Sequence, residues 1–520
     1  MITVQLNKAN FEYDIHSLVK AFYPQHDVLV KAAPREDFPE SIFHLDIHYR
    51  ERERCPDLEK EKIDFAFYRR ALRENSGSEP LDNQAVLTGE TEVDFSDRKE
   101  TKNRLKQKLY EMLSEFSGQT LPWGTLTGIR PTKISMAMLE EGRSDDEIKT
   151  YMKDTYFASD EKIELSLDVA KRELELLQKI DYENGYSLYI GIPFCPSTCL
   201  YCSFTSYPLG KWASRVDEYL SALEKEIDFT AETCKDKHLN TVYIGGGTPT
   251  TLNPDQLERL ITKIEHSFDF SHLLEFTVEA GRPDSITGEK LKVLRRHGIS
   301  RISINPQTMK EDTLRLIGRQ HTVEQTRQSF WLARELGFDN INMDLIVGLP
   351  EETIEDVRQT MRELTELAPD NITVHSLAVK RAARLRMQKE EYAHLHMENT
   401  WDTIAVTADS CRRMGLEPYY LYRQKNMAGN FENVGYAAPG KAGIYNILIM
   451  EEKQTIIALG AGATTKFVLS EKGQDKPGNV STGGDRIERV ENVKDVTNYL
   501  ERIDEMIERK RNRMEELQWL

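Results

Sequence analysis

Between Tyr186 and Ser376 six short apolar runs alternate with five longer amphipathic ones. The apolar runs are YSLYIGIP (186–193), NTVYIG (240–245), LEFTVEA (274–280), ISRISIN (299–305), NINMDLIVG (340–348) and NITVHS (371–376). They have strand length and punctuated ends. Helical periodicity fills 213–234, 254–268, 285–297, 322–336 and 353–367. This alternation restricts the fold more than any other feature. Strands separated by helix-length crossovers pair in parallel with right-handed connections. Their apolarity fits a parallel sheet covered on both faces. The expectation is an α/β fold built on a partial (β/α)6 TIM-like barrel.

The repeat leaves long flanks, and 520 residues are too many for one simple core. The expected division is an N-terminal α+β domain of unassigned role over 1–180, the barrel over 181–385, and a C-terminal α+β region over 386–520 that covers the substrate. In the first, SIFHLDIHYR (41–50) and KIDFAFYRR (62–70) alternate like half-buried strands, and 99–116 reads as a helix. LPWGTLTGIRPTKI (121–134) reads as a loop entering a helix. In the last, QTIIALGAGATTKF (454–467) reads as a strand entering a Gly-rich turn, and KGQDKPGNVSTGGD (472–485) as an exposed turn-rich segment. Val490–Leu520 reads as a charged amphipathic helix or helix pair with a solvated charged face.

Composition removes some partners. No run of about 18 apolar residues suggests a membrane span. The start lacks a basic stretch followed by an apolar one, so no signal peptide is expected and the cytoplasm is the expected compartment. A net charge of −17 disfavours nucleic acid as a general partner. An anionic substrate would need a local basic pocket.

The chemically distinctive residues cluster where the strands end. Cys195 follows the first strand, GGGTPT (245–250) ends the second, and Glu279 ends the third. Gln307 follows the fourth, Asp344 lies in the fifth, and His375 ends the sixth. Ligand sites in parallel α/β sheets gather at the C-terminal strand ends.

Three of the six cysteines fall within CPSTCLYC (195–202). A structural zinc site wants four ligands, usually in two pairs, and no histidine stands in this segment. A disulfide is disfavoured in a reducing compartment, and a redox pair needs only C-x2-C. Thiolates also hold iron–sulfur clusters. Cys195, Cys199 and Cys202 on a four-iron cluster would leave one iron open to an exogenous ligand. Cys55, Cys234 and Cys411 stand singly and read as buried or inert thiols.

With its setting, this cluster resembles the radical S-adenosylmethionine (SAM) superfamily. YIGIPFCPSTCLYCSF, GGGTPT, EAGRPDSI, RISINPQT, LIGRQH and NMDLIVGLP appear in order over 189–350. Together they look like the oxygen-independent coproporphyrinogen III oxidase (coproporphyrinogen dehydrogenase) family. WGTLTGIRPTKI and RQKNMAGNFENVGYA look most like its HemZ branch. The resemblance implies a 4Fe–4S cluster on Cys195, Cys199 and Cys202, with SAM on the fourth iron. It places Tyr189 and the cluster cysteines in the catalytic machinery, Tyr189 near the sulfonium. It gives cofactor contacts to Tyr201, Gly246, Gly247, Thr248, Glu279, Gln307, Arg319 and Asp344. Arg319 suits a carboxylate and Asp344 ribose hydroxyls. The implied reaction is oxidative decarboxylation of coproporphyrinogen III propionates to vinyl groups, in haem biosynthesis. A reductant such as flavodoxin or ferredoxin is the implied partner.

Bland readings stand beside these. Gln307 is as readily a turn residue and Arg319 could be a surface ion pair. His375 reads as a satisfied core histidine, and His321, His394 and His396 as exposed ones. The sequence also departs from the oxidase pattern. Gly191 replaces a histidine, Phe204 a fourth cysteine, and AVKRAARL (378–385) the usual E-P-G-T. The haem-chaperone branch also lacks that cysteine. These departures bear on the substrate, leaving as alternatives a haem-binding or haem-transfer protein and a tetrapyrrole methyltransferase or ring-opening enzyme. Lys380, Arg381, Arg384, Arg423, Lys425 and Lys441 are candidate anchors for substrate carboxylates.

Overall fold

A computed structural model describes residues 1–32, 41–51, 60–69, 84–128, 130–380, 382–388, 390–392, 394–424, 431–469 and 486–519. The chain forms two compact units: Met1–Asp168 with Arg423–Glu432, and Val169–Tyr422 with Asn433–Leu520.

The first unit is built on a five-stranded sheet in the order Val28–Lys31, Ile2–Leu6, Phe43–Arg50, Lys62–Arg69, Leu87–Glu92. Alternation sets its buried face: Phe43, Leu45, Ile47 and Tyr49 point into the core with Ile63, Phe65 and Phe67. Helices Glu12–Phe22 and Arg98–Ser117 complete that core through Ile15, Leu18, Leu105, Leu109 and Leu113. Glu432 accepts from Trp123 Nε1 at 2.7 Å and Lys162 Nζ at 2.5 Å. Arg423 Nη1 donates to Leu126 O at 2.6 Å. These bonds join the WGTLTG segment to the ends of segment 423–432, two stretches that are distant in sequence.

The second unit holds the repeat. Its six strands are Gly185–Ile192, His238–Gly246, Glu275–Gly281, Arg301–Ile304, Ile341–Val347 and Asn371–Ser376. They lie side by side in chain order, each parallel to the next. The described strands follow one linear order, so the sheet is a partial barrel. Three crossover helices begin with capping boxes, at Asn253/Gln256, Thr322/Gln325 and Thr353/Asp356, which satisfy orphan N–H groups.

The C-terminal region extends this sheet at both edges. Thr455–Leu459 runs parallel to the first strand, followed outward by antiparallel Thr464–Leu469 and Arg486–Glu491. At the other edge Asn433–Ala437 is antiparallel to the sixth strand and pairs with Glu417–Tyr422. The run QTIIALGAGATTKF is therefore two strands around a turn rather than one. Segment 472–485 lies outside the described residues.

The chain ends in the helix pair Val496–Glu501 and Ile503–Glu516. Its charged face is not wholly solvated. Lys510 is fully buried and bonds to the equally buried Glu226 at 2.5 Å. Glu226 also accepts from Gly460 N, Asn492 Nδ2 and Tyr499 OH. Among the described residues no helix is long and apolar enough to cross a membrane.

Candidate functional site

The first strand ends at Ile192, and the cysteine segment follows at once. Phe194–Cys195 pairs with Tyr207–Pro208, which closes the segment into a loop. Within it Cys202 N donates to Cys199 O at 3.2 Å, and Leu200 N donates to Ile317 O at 2.9 Å. Cys195 and Cys199 are buried and Cys202 partly so. Burial pushes the Cys195 thiol up to about 11, against a hydrogen bond from Thr248, and raises that of Cys202. A metal group binding here must displace those protons. Among the described residues no three His, Cys, Asp or Glu side chains converge on a point suited to a single ion. In a four-iron cubane each thiolate takes a different iron, so such convergence is not required.

The glycine run sets the end of the second strand flush against this loop. Gly246 has φ +110°, a conformation that favours glycine. A Cβ on Gly247 would stand 2.7 Å from Phe194 O and 3.0 Å from Cys195 Sγ. Gly247 N and Thr248 N donate to Ile192 O and Phe194 O at 2.8 and 2.7 Å. Thr248 Oγ1 lies 3.5 Å from Cys195 Sγ. These glycines thus serve contact with the chain's own cysteine turn, in addition to any ligand.

Beside them sits a layer of polar aromatics, with Tyr445 buried and Tyr189 and Tyr243 half-buried. Tyr189 and Tyr243 are cross-strand partners, so their side chains share a face. Their rings stack at 6.2 Å, and Tyr243 stacks on Tyr445 at 4.4 Å. Tyr243 OH donates to Glu279 Oε1 at 2.5 Å. Burial, with the nearby Asp344 charge, pushes Glu279 up to about 7. Asp344 goes the other way. Burial raises it, but His375, Asn342 and Arg301 outweigh that and hold its carboxyl below the usual range.

Gln307 is held in the left-handed region at φ +67°. Its N–H donates to Asp344 O and its carbonyl accepts from Ile346 N, at 3.0 and 2.9 Å. The side-chain Oε1 is buried without a hydrogen-bond partner. Strain plus an orphaned acceptor favours the site reading over the turn reading. Arg319 is 7% exposed, so it is not a surface ion pair. Its Nη1 donates to Asn305 O at 2.5 Å, Tyr201 and Cys199 are its hydrogen-bonding neighbours, and its Nε has no partner.

Several sequence readings change at this point. His321, expected to be exposed, is 2% exposed, and neither ring nitrogen has a hydrogen-bond partner. Burial, then the neighbouring Arg319 charge, lowers it to about 3. His394 and His396 are exposed as expected. Cys234 and Cys411 are buried, and Cys55 lies outside the described residues. His375 contacts Tyr422 OH at 3.2 Å and approaches Asp344 to 3.9 Å, which ties it to the site. Gly191 has a packing reason: Leu459 O would be 3.3 Å from a Cβ there. Of the candidate anchors, Lys441 pairs with Asp339 before the fifth strand, at the opposite end from the cysteines. Arg423 is buried in the first unit. Lys380 and Arg384 are exposed close to the loop. Lys380 Nζ is 5.7 Å from the Phe204 ring, and Leu385 N donates to Leu200 O. Arg381 and Lys425 lie outside the residues whose side chains are described.

This arrangement suits an anionic metal–sulfur group with a polar organic ligand beside it. Three thiols share one loop, two buried guanidiniums stand next to Cys199, and Gln307 Oε1 and Arg319 Nε lack partners.

Comparison with known proteins agrees. Residues 189–364 match the Radical SAM superfamily. The chain is 40% identical over 423 residues to the "oxygen-independent coproporphyrinogen-III oxidase-like protein HemZ" of Bacillus subtilis, covering 81% of this chain and 82% of that one. It is 42% identical over 195 residues to the "heme chaperone HemW" of the same organism, covering 37% and 51%. It is 36% identical over 196 residues to the "oxygen-independent coproporphyrinogen III oxidase" of Salmonella typhimurium, covering 38% and 42%.

Proposed function

This chain belongs to the oxygen-independent coproporphyrinogen III oxidase-like family of radical SAM proteins, and from that premise we propose that it oxidatively decarboxylates coproporphyrinogen III. The superfamily's cofactors are a 4Fe–4S cluster and SAM. When bound, they supply hydrogen-atom abstraction started by one-electron cleavage of the sulfonium. Each substrate propionate would then lose a β-hydrogen atom to the SAM-derived radical, carbon dioxide, and one electron to a one-electron acceptor, leaving a vinyl group, and two such events give protoporphyrinogen IX.

The protein's part is binding, orientation and exclusion of water. Cys195, Cys199 and Cys202 would hold the cluster. Gly246, Gly247 and Thr248 would line the methionine end of SAM, with Arg319 on its carboxylate. Tyr189 would face the sulfonium, Tyr201 and Gln307 would pack against the cofactor, and Glu279 and Asp344 would take amino or ribose donors. Lys380 and Arg384 would anchor propionates. A reductant such as flavodoxin or ferredoxin would supply the electron, in the cytoplasm. The observation that carries this reading is the juxtaposition at one strand end of the tri-cysteine loop, the Gly246–Thr248 turn and buried Arg319.

The second reading, haem binding or transfer on the same scaffold, is favoured by one observation: Phe204 stands 72% exposed where the oxidase pattern has a cysteine. Anaerobic incubation of reconstituted protein with coproporphyrinogen III, a reductant and SAM, followed by product chromatography, tests the enzyme. Protoporphyrinogen IX is expected. Stable haem binding without porphyrinogen turnover would select the second reading, and a linear tetrapyrrole a ring-opening reaction.

A further inference from the structure

Arg282 is a second buried guanidinium at the cysteine loop. It follows Gly281, whose φ of +48° turns the chain at the end of the third strand. Arg282 N donates to Ala280 O at 2.6 Å, closing the turn and sending the side chain across the loop. The residue is only 3% exposed. Its Nε and Nη2 fork onto Asp284 at 3.0 and 2.6 Å, which fixes the guanidinium plane. Nη1 is thereby aimed at the loop, donating to Ser197 O at 3.0 Å and Ser197 Oγ at 2.9 Å, with Cys199 Sγ at 3.9 Å. Ser197 Oγ in turn donates to Gly318 O at 2.8 Å.

An N–H directed at a thiolate sulfur stabilises the more negative state of the group that sulfur holds. Hydrogen bonds to the sulfurs, charge and exposure set the potential of an iron–sulfur cluster. Reduction adds an electron to an already anionic assembly, so a fixed donor at Cys199 favours the reduced form. A lysine could keep the charge but could not fork onto Asp284 while also bridging Ser197 and Cys199.

We infer that Arg282, held by Asp284, is a positioning residue that raises the reduction potential of a cluster bound through Cys199. This rests on the assignment of Cys195, Cys199 and Cys202 as the cluster ligands. It differs from the role proposed for Arg319, which also borders Cys199 but lacks the Asp284 fork and would meet the SAM carboxylate.

The test is an EPR-monitored redox titration of reconstituted full-length protein, comparing wild type with Arg282→Gln and Arg282→Lys. The midpoint potential should become more negative in Arg282→Gln, with Arg282→Lys between it and wild type. Simple loosening of the fold would lower cluster occupancy or thermal stability without moving the midpoint. If Arg282→Gln fails to retain a cluster, a negative shift in Arg282→Lys still carries the inference. Wild-type protein that forms a cluster, with neither variant shifted negative, overturns the inference alone. Wild-type protein that forms no cluster overturns the ligand assignment as well.

Discussion

Glu279 and Gln307 both carry a cost that folding alone does not require. Glu279 keeps its proton up to about pH 7 because its site is buried and faces Asp344. A carboxyl raised in this way binds more protons folded than unfolded, so stability falls as pH rises from its ordinary value, near 4.5, towards 7. Glu279→Gln removes that loss. Thermal unfolding of the variant should show a flatter dependence over pH 5–8, with its largest gain over wild type at the alkaline end. An unchanged slope would place the titration elsewhere, for example at buried Glu352, which burial also raises to about 7. Gln307 holds a left-handed backbone. Gln307→Val adds β-branching where it is least tolerated and should cost about 2 kcal/mol in denaturant unfolding. Gln307→Asn, which tolerates that region, should stay folded yet bind SAM more weakly by isothermal titration. Equal stability of the two variants would contradict the strain argument.

At the scale of elements, the C-terminal helix is fixed to the barrel through the Lys510–Glu226 pair rather than merely capping it. Glu226 donates nothing when ionised. It gathers Lys510, Tyr499, Asn492 and the N–H of Gly460. Gly460 abuts Gly191, whose carbonyl accepts from Tyr219 OH at 2.7 Å, and the Tyr219 ring packs on Phe194, the residue before Cys195. Lys510→Met should cost about 3–5 kcal/mol, because it strands a buried carboxylate. Glu226→Gln with Lys510→Met should recover most of that loss in urea unfolding. A single variant as stable as wild type would contradict the pairing. The helix is legible from its period, and its buried stripe carries a signal for this role as well. Ile503, Met506, Lys510 and Met514 form its buried stripe, and a lysine on an apolar stripe needs a partner. That partner lies 284 residues away in sequence, which periodicity does not report.

For the whole molecule, strand and helix positions in the repeat followed from apolar period and turn residues, because each β–α unit is a local pattern. The order of the six parallel strands followed too, since right-handed crossovers leave few alternatives. The two edges did not. The parallel pairing of Thr455–Leu459 with the first strand joins segments about 270 residues apart, with no short connection to signal it. The same split holds at the site. Cysteines at C-x3-C-x2-C announce themselves by type and spacing, whereas Arg282 and His321 are single residues whose importance comes from burial beside the loop. What unites these features is a tri-thiol loop at one strand end, which we propose holds a cluster with one iron open to SAM. The most direct measurement is the EPR spectrum of anaerobically reconstituted, reduced full-length protein with and without SAM, alongside Cys199→Ser. A 4Fe–4S signal that changes on adding SAM, and that Cys199→Ser abolishes, is the predicted result. Zinc without iron or sulfide, or a cluster signal indifferent to SAM, would contradict it.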